Sequence, residues 1–269
     1  MKILVGDISM HYVEAGAGQP LVLIMGLGGD HTAWGFQVPA FAERYRVIAF
    51  DNRGSGQTDQ PDIPYTVRRM AEDTVGLMNA LGIDRAHICG ASLGGMIAQE
   101  LVLNHPERVL SLALHCTLAR PDAYLLSLGA TWRHMRTALT REQFTRALML
   151  WLFSPATFAE RPEFVEAVVQ NSLANPYPPS TAGFARQSEA VGSHDTLARL
   201  GRIRCPTLIT VGAEDILVPP RFSRQIHERI PHAEFRVLDG VGHGHFLEAP
   251  ERFNETSLGF LARHASAVT

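Results

Sequence analysis

Short apolar runs alternate along the chain with longer stretches in which apolar residues recur every three or four positions. The runs are PLVLIMG (20–26), YRVIAFD (45–51), AHICG (86–90), VLSLALHCT (109–117), CPTLITVG (205–212) and EFRVLDG (234–240). Each is β-branched or leucine-rich and fenced by turn residues, as suits strands of a parallel sheet covered on both faces. The opening MKILVGDISMHYVEAG reads as two short strands around a Gly-Asp turn. In YTVRRMAEDTVGLMNALG, residues Val67, Met70, Ala71, Val75, Met78 and Leu81 fall on one helical face, with Gly82 at the expected C-terminal cap. From Ser92 to His105 a second helix pattern runs through Leu93, Met96, Ile97 and Leu101, and Pro106 stands just beyond it. Repeated strand-then-helix order predicts an α/β fold: a mostly parallel, twisted sheet with helices on both faces.

The alternation breaks once. Between Arg120 and Leu200, helix-like stretches follow one another without a convincing strand. This predicts a helical lid over 120–200 inserted into a core made of 1–119 and 201–269. The insertion carries two of the three tryptophans, Trp132 and Trp151, with Tyr124, Phe144, Phe153, Phe158, Phe164, Tyr177 and Phe184 spread through it. Most of these are expected to build the insertion's own small core, and a few to line a pocket beneath it.

Composition narrows the chemistry. Apolar residues make up 46% of the chain, yet charge or glycine interrupts them everywhere, and no stretch approaches the roughly 20 residues of a membrane span. No export signal is legible at the start, and Cys89, Cys116 and Cys205 form no C-x-x-C pair. Buried thiols in a reducing, cytoplasmic setting are therefore expected. A net charge of −3 without a basic cluster argues against nucleic-acid binding. Lys2 is the only lysine, which removes Schiff-base chemistry and a phosphate-loop lysine together. MGLGGD (25–30) fails as a dinucleotide fingerprint, because the third glycine would fall at His31. No cofactor or metal is expected.

Candidate chemistry centres on Gly90-Ala91-Ser92-Leu93-Gly94. This is G-x-S-x-G with a strand expected before it and a helix after it, the context in which a strained turn projects a serine hydroxyl. Together with MGLGG, DNRGSGQTD, HPERV, GAEDILVPP and GVGHGHFLEAPERF, the motif makes the chain resemble the α/β-hydrolase fold family, from about Ile8 to about Leu261. The likeness is to its lid-bearing esterases, enol-lactonases and carbon-carbon bond hydrolases.

A serine hydroxyl needs a base, and the base an orienting carboxylate. The resemblance implies Asp215 as the acid after a late strand, with Glu214 and Asp122 as lesser alternatives. It implies His243 as the base, since Glu248 and Pro250 follow at the family's spacing, and it leaves His245 at the entrance or packed on the loop. A zinc reading of His243-x-His245 lacks companion ligands. The family's His-Gly-x loop appears as Met25-Gly26-Leu27, which implies the Leu27 and Leu93 N–H groups as oxyanion donors. Met25 replaces the family's histidine, a departure that bears on loop geometry and pocket polarity.

The expectation is thus a serine hydrolase that cleaves a small-molecule carboxylic ester or lactone through an acyl-enzyme on Ser92, with resemblance to 3-oxoadipate enol-lactonases. Carbon-carbon bond hydrolysis, thioester hydrolysis and cofactor-free peroxide chemistry stay open, as does a binding protein reusing the fold. Trp132, Trp151 and Phe246 are expected substrate contacts. Arg133 and Arg136 are candidate partners for an anionic substrate, and solvated lid arginines are the plainer alternative.

Overall fold

A computed structural model describes residues 1–265; residues 266–269, the end of the expected core unit, lie outside the described residues. The strands are β1 (Lys2–Val5), β2 (Ile8–Ala15), β3 (Gln19–Ile24), β4 (Tyr45–Phe50), β5 (Ala86–Ala91), β6 (Val109–His115), β7 (Thr207–Gly212) and β8 (Glu234–Leu238). They form one sheet in the order β1-β2-β4-β3-β5-β6-β7-β8. Only the β1/β2 and β2/β4 pairs are antiparallel. From β4 onward every pair is parallel, so the carboxyl ends of β3, β5, β6, β7 and β8 open on one edge of the sheet.

Strand alternation sorts the core into two layers. In β3, Val22 and Ile24 enter a cluster with Ile48, Met70, Ile97 and Leu101, whereas Leu21 and Leu23 enter another with Phe41, Phe253 and Phe260. The first layer packs under α2 (Val67–Ala80) and α3 (Leu93–Asn104). The second packs under α1 (Gln37–Ala42) and a late helix, Pro250–Arg263. Each fully buried leucine or isoleucine contributes roughly 1.5–3 kcal/mol relative to exposure, which is why runs apolar on both faces form the central strands. EFRVLDG departs from that reading. As β8 it is an edge strand with Arg236 and Val237 exposed, having only β7 beside it.

Between β6 and β7 the chain forms five consecutive helices: α4 (Ala123–Ala138), α5 (Arg141–Leu152), α6 (Pro155–Glu160), α7 (Pro162–Ala174) and α8 (Thr181–Gly192). Side-chain caps fix the starts of four of them, with Asp122 on Leu125 N–H, Thr140 on Gln143 N–H, Ser154 on Thr157 N–H and Ser180 on Gly183 N–H, while α7 begins on Pro162 without one. Three further helices complete the chain: α9 (Pro220–Arg229), α10 (His245–Glu248) and α11 (Pro250–Arg263). No helix among the described residues is long and apolar enough to cross a membrane.

Candidate active site

Ser92 sits between β5 and α3 with φ 55° and ψ −120°. Among the described residues only Ser92 and Cys116 combine a side chain with positive φ, and both stand just past the ends of neighbouring strands, β5 and β6. Small neighbours make the Ser92 turn possible. A Cβ on Gly90 would collide with the Gly94 carbonyl, and one on Gly94 with the Ile24 carbonyl. The Ser92 N–H donates to the His115 carbonyl (2.9 Å), and the Thr117 hydroxyl donates to the Ser92 carbonyl (2.7 Å), so β6 holds the turn. Leu93 opens α3, where an N–H has no intrahelical acceptor.

Asp215 follows β7 and is 2% exposed. One carboxylate oxygen accepts the Val218 N–H (2.7 Å), and the other lies 2.8 Å from His243 Nδ1. His243, after β8, is 4% exposed. Burial favours its neutral ring, but the Asp215 carboxylate and the neighbouring Cys116 sulfur in its thiolate form outweigh this and hold its pKa well above the ordinary histidine value. The Asp215 contact assigns the neutral ring's proton to Nδ1 and leaves Nε2 as the basic nitrogen.

A second buried chain supports the loop from behind. His245 Nδ1 donates to the His243 carbonyl (3.1 Å), and the Thr210 hydroxyl donates to His245 Nε2 (2.9 Å). His115 Nδ1 in turn donates to Thr210 Oγ1 (2.6 Å). Burial, with His245 nearby, lowers the His115 pKa well below the ordinary histidine value. His245 itself is fully buried, so it lies on the packed side of the loop and not at an entrance.

Ser92 opens into a cavity of about 320 Å³ whose lining includes Leu27, Leu118, Leu125, Trp132, Arg133 and Ser188. Most of its wall is apolar. Arg133, which donates to the Ser188 hydroxyl (3.0 Å), supplies a cation to it. The MGLGGD loop enters beside Ser92, where the Met25 carbonyl accepts from Asn52 Nδ2 (2.8 Å) and Gly28 N–H donates to Gln187 Oε1 (2.8 Å) of α8. Met25 is 5% exposed and packs in the core layer with Leu23, so in this chain the loop is held without the histidine.

A strained serine, a buried acid–histidine pair on late strand ends and a glycine-rich loop beside the serine now stand together on one sheet edge. A family model for the alpha/beta hydrolase fold matches residues 19–250. The chain belongs to the alpha/beta hydrolase fold family. It is 34% identical to a protein of Azorhizobium caulinodans named "Putative carbamate hydrolase RutD", over 95% of this chain and 96% of that one. A Mycobacterium tuberculosis protein named "Putative non-heme bromoperoxidase BpoC" is 33% identical over 95% of this chain and 98% of its own length. Among solved structures, the enol-lactonase from Burkholderia xenovorans LB400 superposes with a TM-score of 0.89 at 26% identity, covering 97% of this chain and all of that one.

Within this hydrolase several expected contacts lie elsewhere. Trp151 packs edge-on behind Trp132, ring centroids 5.6 Å apart, and is not part of the cavity lining. Arg136 donates to the Pro179 carbonyl (2.8 Å) and lies over the Phe144 ring, which ties it into the helical block. Phe246 is 6% exposed and packs on Trp34 and Phe253 in the layer below the sheet. Asp122 caps α4 and pairs with Arg221 (2.8 Å) on the surface, away from His243. Cys116 was legible only as a buried thiol. Nothing in the sequence brings it to the His243 ring.

Donor atoms of His11, His31 and Asp51 lie within 4.8 Å of one another, close enough for a metal ion by distance alone. The Asp51 carboxylate there already accepts the backbone N–H groups of His31 (2.8 Å) and Gln57 (2.9 Å) and pairs with His31 Nδ1 (2.7 Å). Those bonds fit a turn acid bracing the loop after β4.

Proposed function

We propose that the protein is a serine hydrolase that cleaves a small carboxylic ester or lactone through an acyl-enzyme on Ser92. The observation that carries this reading is the buried 2.8 Å contact between His243 Nδ1 and Asp215, on the same sheet edge as a strained serine that opens into a cavity. With Nδ1–H engaged by Asp215, His243 Nε2 takes the Ser92 proton as Oγ attacks the substrate carbonyl. The Leu27 and Leu93 N–H groups hold the oxyanion. As the tetrahedral intermediate collapses, the imidazolium protonates the departing alkoxide. Water, deprotonated by His243, then releases the acid by the reverse path and restores Ser92.

Helices α4–α8 act as the lid. Trp132 bounds the acyl or alcohol group, and Arg133 receives a polar or anionic end of the substrate. The enol-lactonase neighbour supports the lactone reading. The relative named for carbamate hydrolysis adds carbamates, whose carbonyl the same machinery would attack.

The test is a panel of p-nitrophenyl esters, lactones, carbamates, thioesters and a vinylogous diketone, run on wild type and Ser92→Ala. Ester or lactone turnover that disappears in Ser92→Ala, with an acyl adduct on Ser92 by mass spectrometry, is the expected result. Binding without turnover on every class would make the chain a receptor. Turnover that survives Ser92→Ala would remove the nucleophile assignment.

A further inference from the structure

Both neighbours of His243 are glycine, and in both cases the space a side chain would take is occupied by the α5–α6 junction of the lid. A Cβ on Gly242 would stand 3.0 Å from the Leu152 carbonyl oxygen and 3.0 Å from the Ser154 nitrogen. One on Gly244 would stand 3.0 Å from the Phe153 ring. The Gly244 N–H donates to the Leu152 carbonyl at 2.7 Å.

Glu248 ties the same two segments together. Its Oε1 accepts the Gly242 N–H (2.6 Å), and its Oε2 accepts the Ser154 N–H (2.9 Å) and the Thr157 hydroxyl (2.6 Å). The residue is 3% exposed, and these three donors are neutral. Taking a carboxylate out of water is costly unless its hydrogen bonds are met, so this group makes sense only with both segments in place. Arg161 adds a bond to the Glu248 carbonyl (2.7 Å).

We propose that the α5–α6 junction of the lid is the seat of the base, with Glu248 and Thr157 as positioning residues that set His243 against Asp215 through the backbone of the 240–248 loop. The lid then has two separable duties: α4 and α8 shape the cavity, and the junction holds the base. This rests on the serine-hydrolase reading for its kinetic arm only.

Thr157→Val removes one donor to the buried carboxylate at nearly constant volume, and Thr157→Ser keeps it. The side chains that act on the His243 ring are Asp215 and Cys116, and His245 meets its carbonyl; none of them is altered in either variant. In wild-type protein with 15N-labelled histidine, the His243 ring is expected to titrate above the ordinary histidine range. In Thr157→Val the midpoint should move down, because a loosened loop weakens the Asp215 contact, while Thr157→Ser stays with wild type. Kinetically, Thr157→Val should lower kcat on an acetate ester by about tenfold, the size expected for leaving one buried carboxylate bond unmade, with KM and the ratio among chain lengths held. Thr157→Ala removes the same hydroxyl and takes its place should Thr157→Val not fold.

An unchanged His243 titration in a folded variant lacking the hydroxyl overturns the proposal, whatever the ester assay shows. A change in chain-length preference at constant kcat also overturns it, by making Thr157 a specificity residue. If the titration moves as expected but wild type turns over no ester, the positioning role stands and the reaction assignment falls.

Discussion

His243 Nδ1 and Asp215 Oδ2 meet at 2.8 Å, both residues almost wholly buried, although 28 positions separate them in the chain. The contact fixes the ring's tautomer and orientation, so the consequences of the serine-hydrolase reading can be tested residue by residue.

Ser92→Ala and His243→Ala should each reduce ester turnover about a million-fold or to background, since serine and base act as one unit. Circular dichroism should stay close to wild type in both; the thermal midpoint should hold in Ser92→Ala and fall in His243→Ala, which leaves the buried Asp215 carboxylate without its partner. A His243→Ala protein that keeps most of its turnover would place the base elsewhere.

Asp215→Asn should lower kcat by about ten-thousand-fold, because an amide at the same position favours the wrong imidazole tautomer. Asp122→Asn keeps a side-chain cap on α4 and loses only an exposed ion pair, so kcat should stay within about twofold and stability within about 1 kcal/mol. Steady-state kinetics on the two variants side by side would reveal a reversed assignment.

The pH profile follows from the raised pKa of His243. The base works only when neutral, so kcat/KM should fall as pH drops through its folded pKa, and that limb should lie above the ordinary histidine value. For stability the sign is opposite. A raised folded pKa contributes stability below the unfolded value, and this is lost as pH rises through the folded one. Asp215→Asn should move the acid limb of kcat/KM downward, and an unmoved limb would assign it to another group.

His245→Ala should destabilise the protein by about 2 kcal/mol, since it removes a buried ring and strands the Thr210 hydroxyl and the His243 carbonyl. Its loss of kcat should be far smaller than that of His243→Ala. Urea unfolding and kinetics on the same preparation separate the two effects.

Trp132→Ala should shift preference among ester chain lengths more than it lowers acetate turnover, with contacts worth ~1–3 kcal/mol per methylene. Arg133→Met should impair anionic lactones and spare neutral esters. Trp151→Ala, behind Trp132, should lower the thermal midpoint and reach specificity only through its neighbour. Equal effects on all substrates would make the α4–α8 block structural alone.

By itself the sequence determined the eight strands, the two helices on either side of β5 and the helical block after β6, because strand and helix periods are local properties that survive in any arrangement; α1 and α9–α11 became visible only in the structure. It also determined Ser92, since the small residues around it are needed by a turn that is itself local. Asp215 and His243 could be picked out by their resemblance to family motifs. Tertiary structure alone decided which side chains meet across the fold. Trp132 faces the cavity while Trp151 backs it, Arg133 reaches the wall while Arg136 turns to the Pro179 carbonyl, and Phe246 falls into the layer below the sheet. Helical positions a few residues apart look alike in sequence, and the packing angle of the whole helix chooses between them. The contacts of Thr157 with Glu248 and of Cys116 with His243 join segments about 90 and 130 residues apart, and no local pattern of apolar and polar positions encodes a meeting that chain topology brings about.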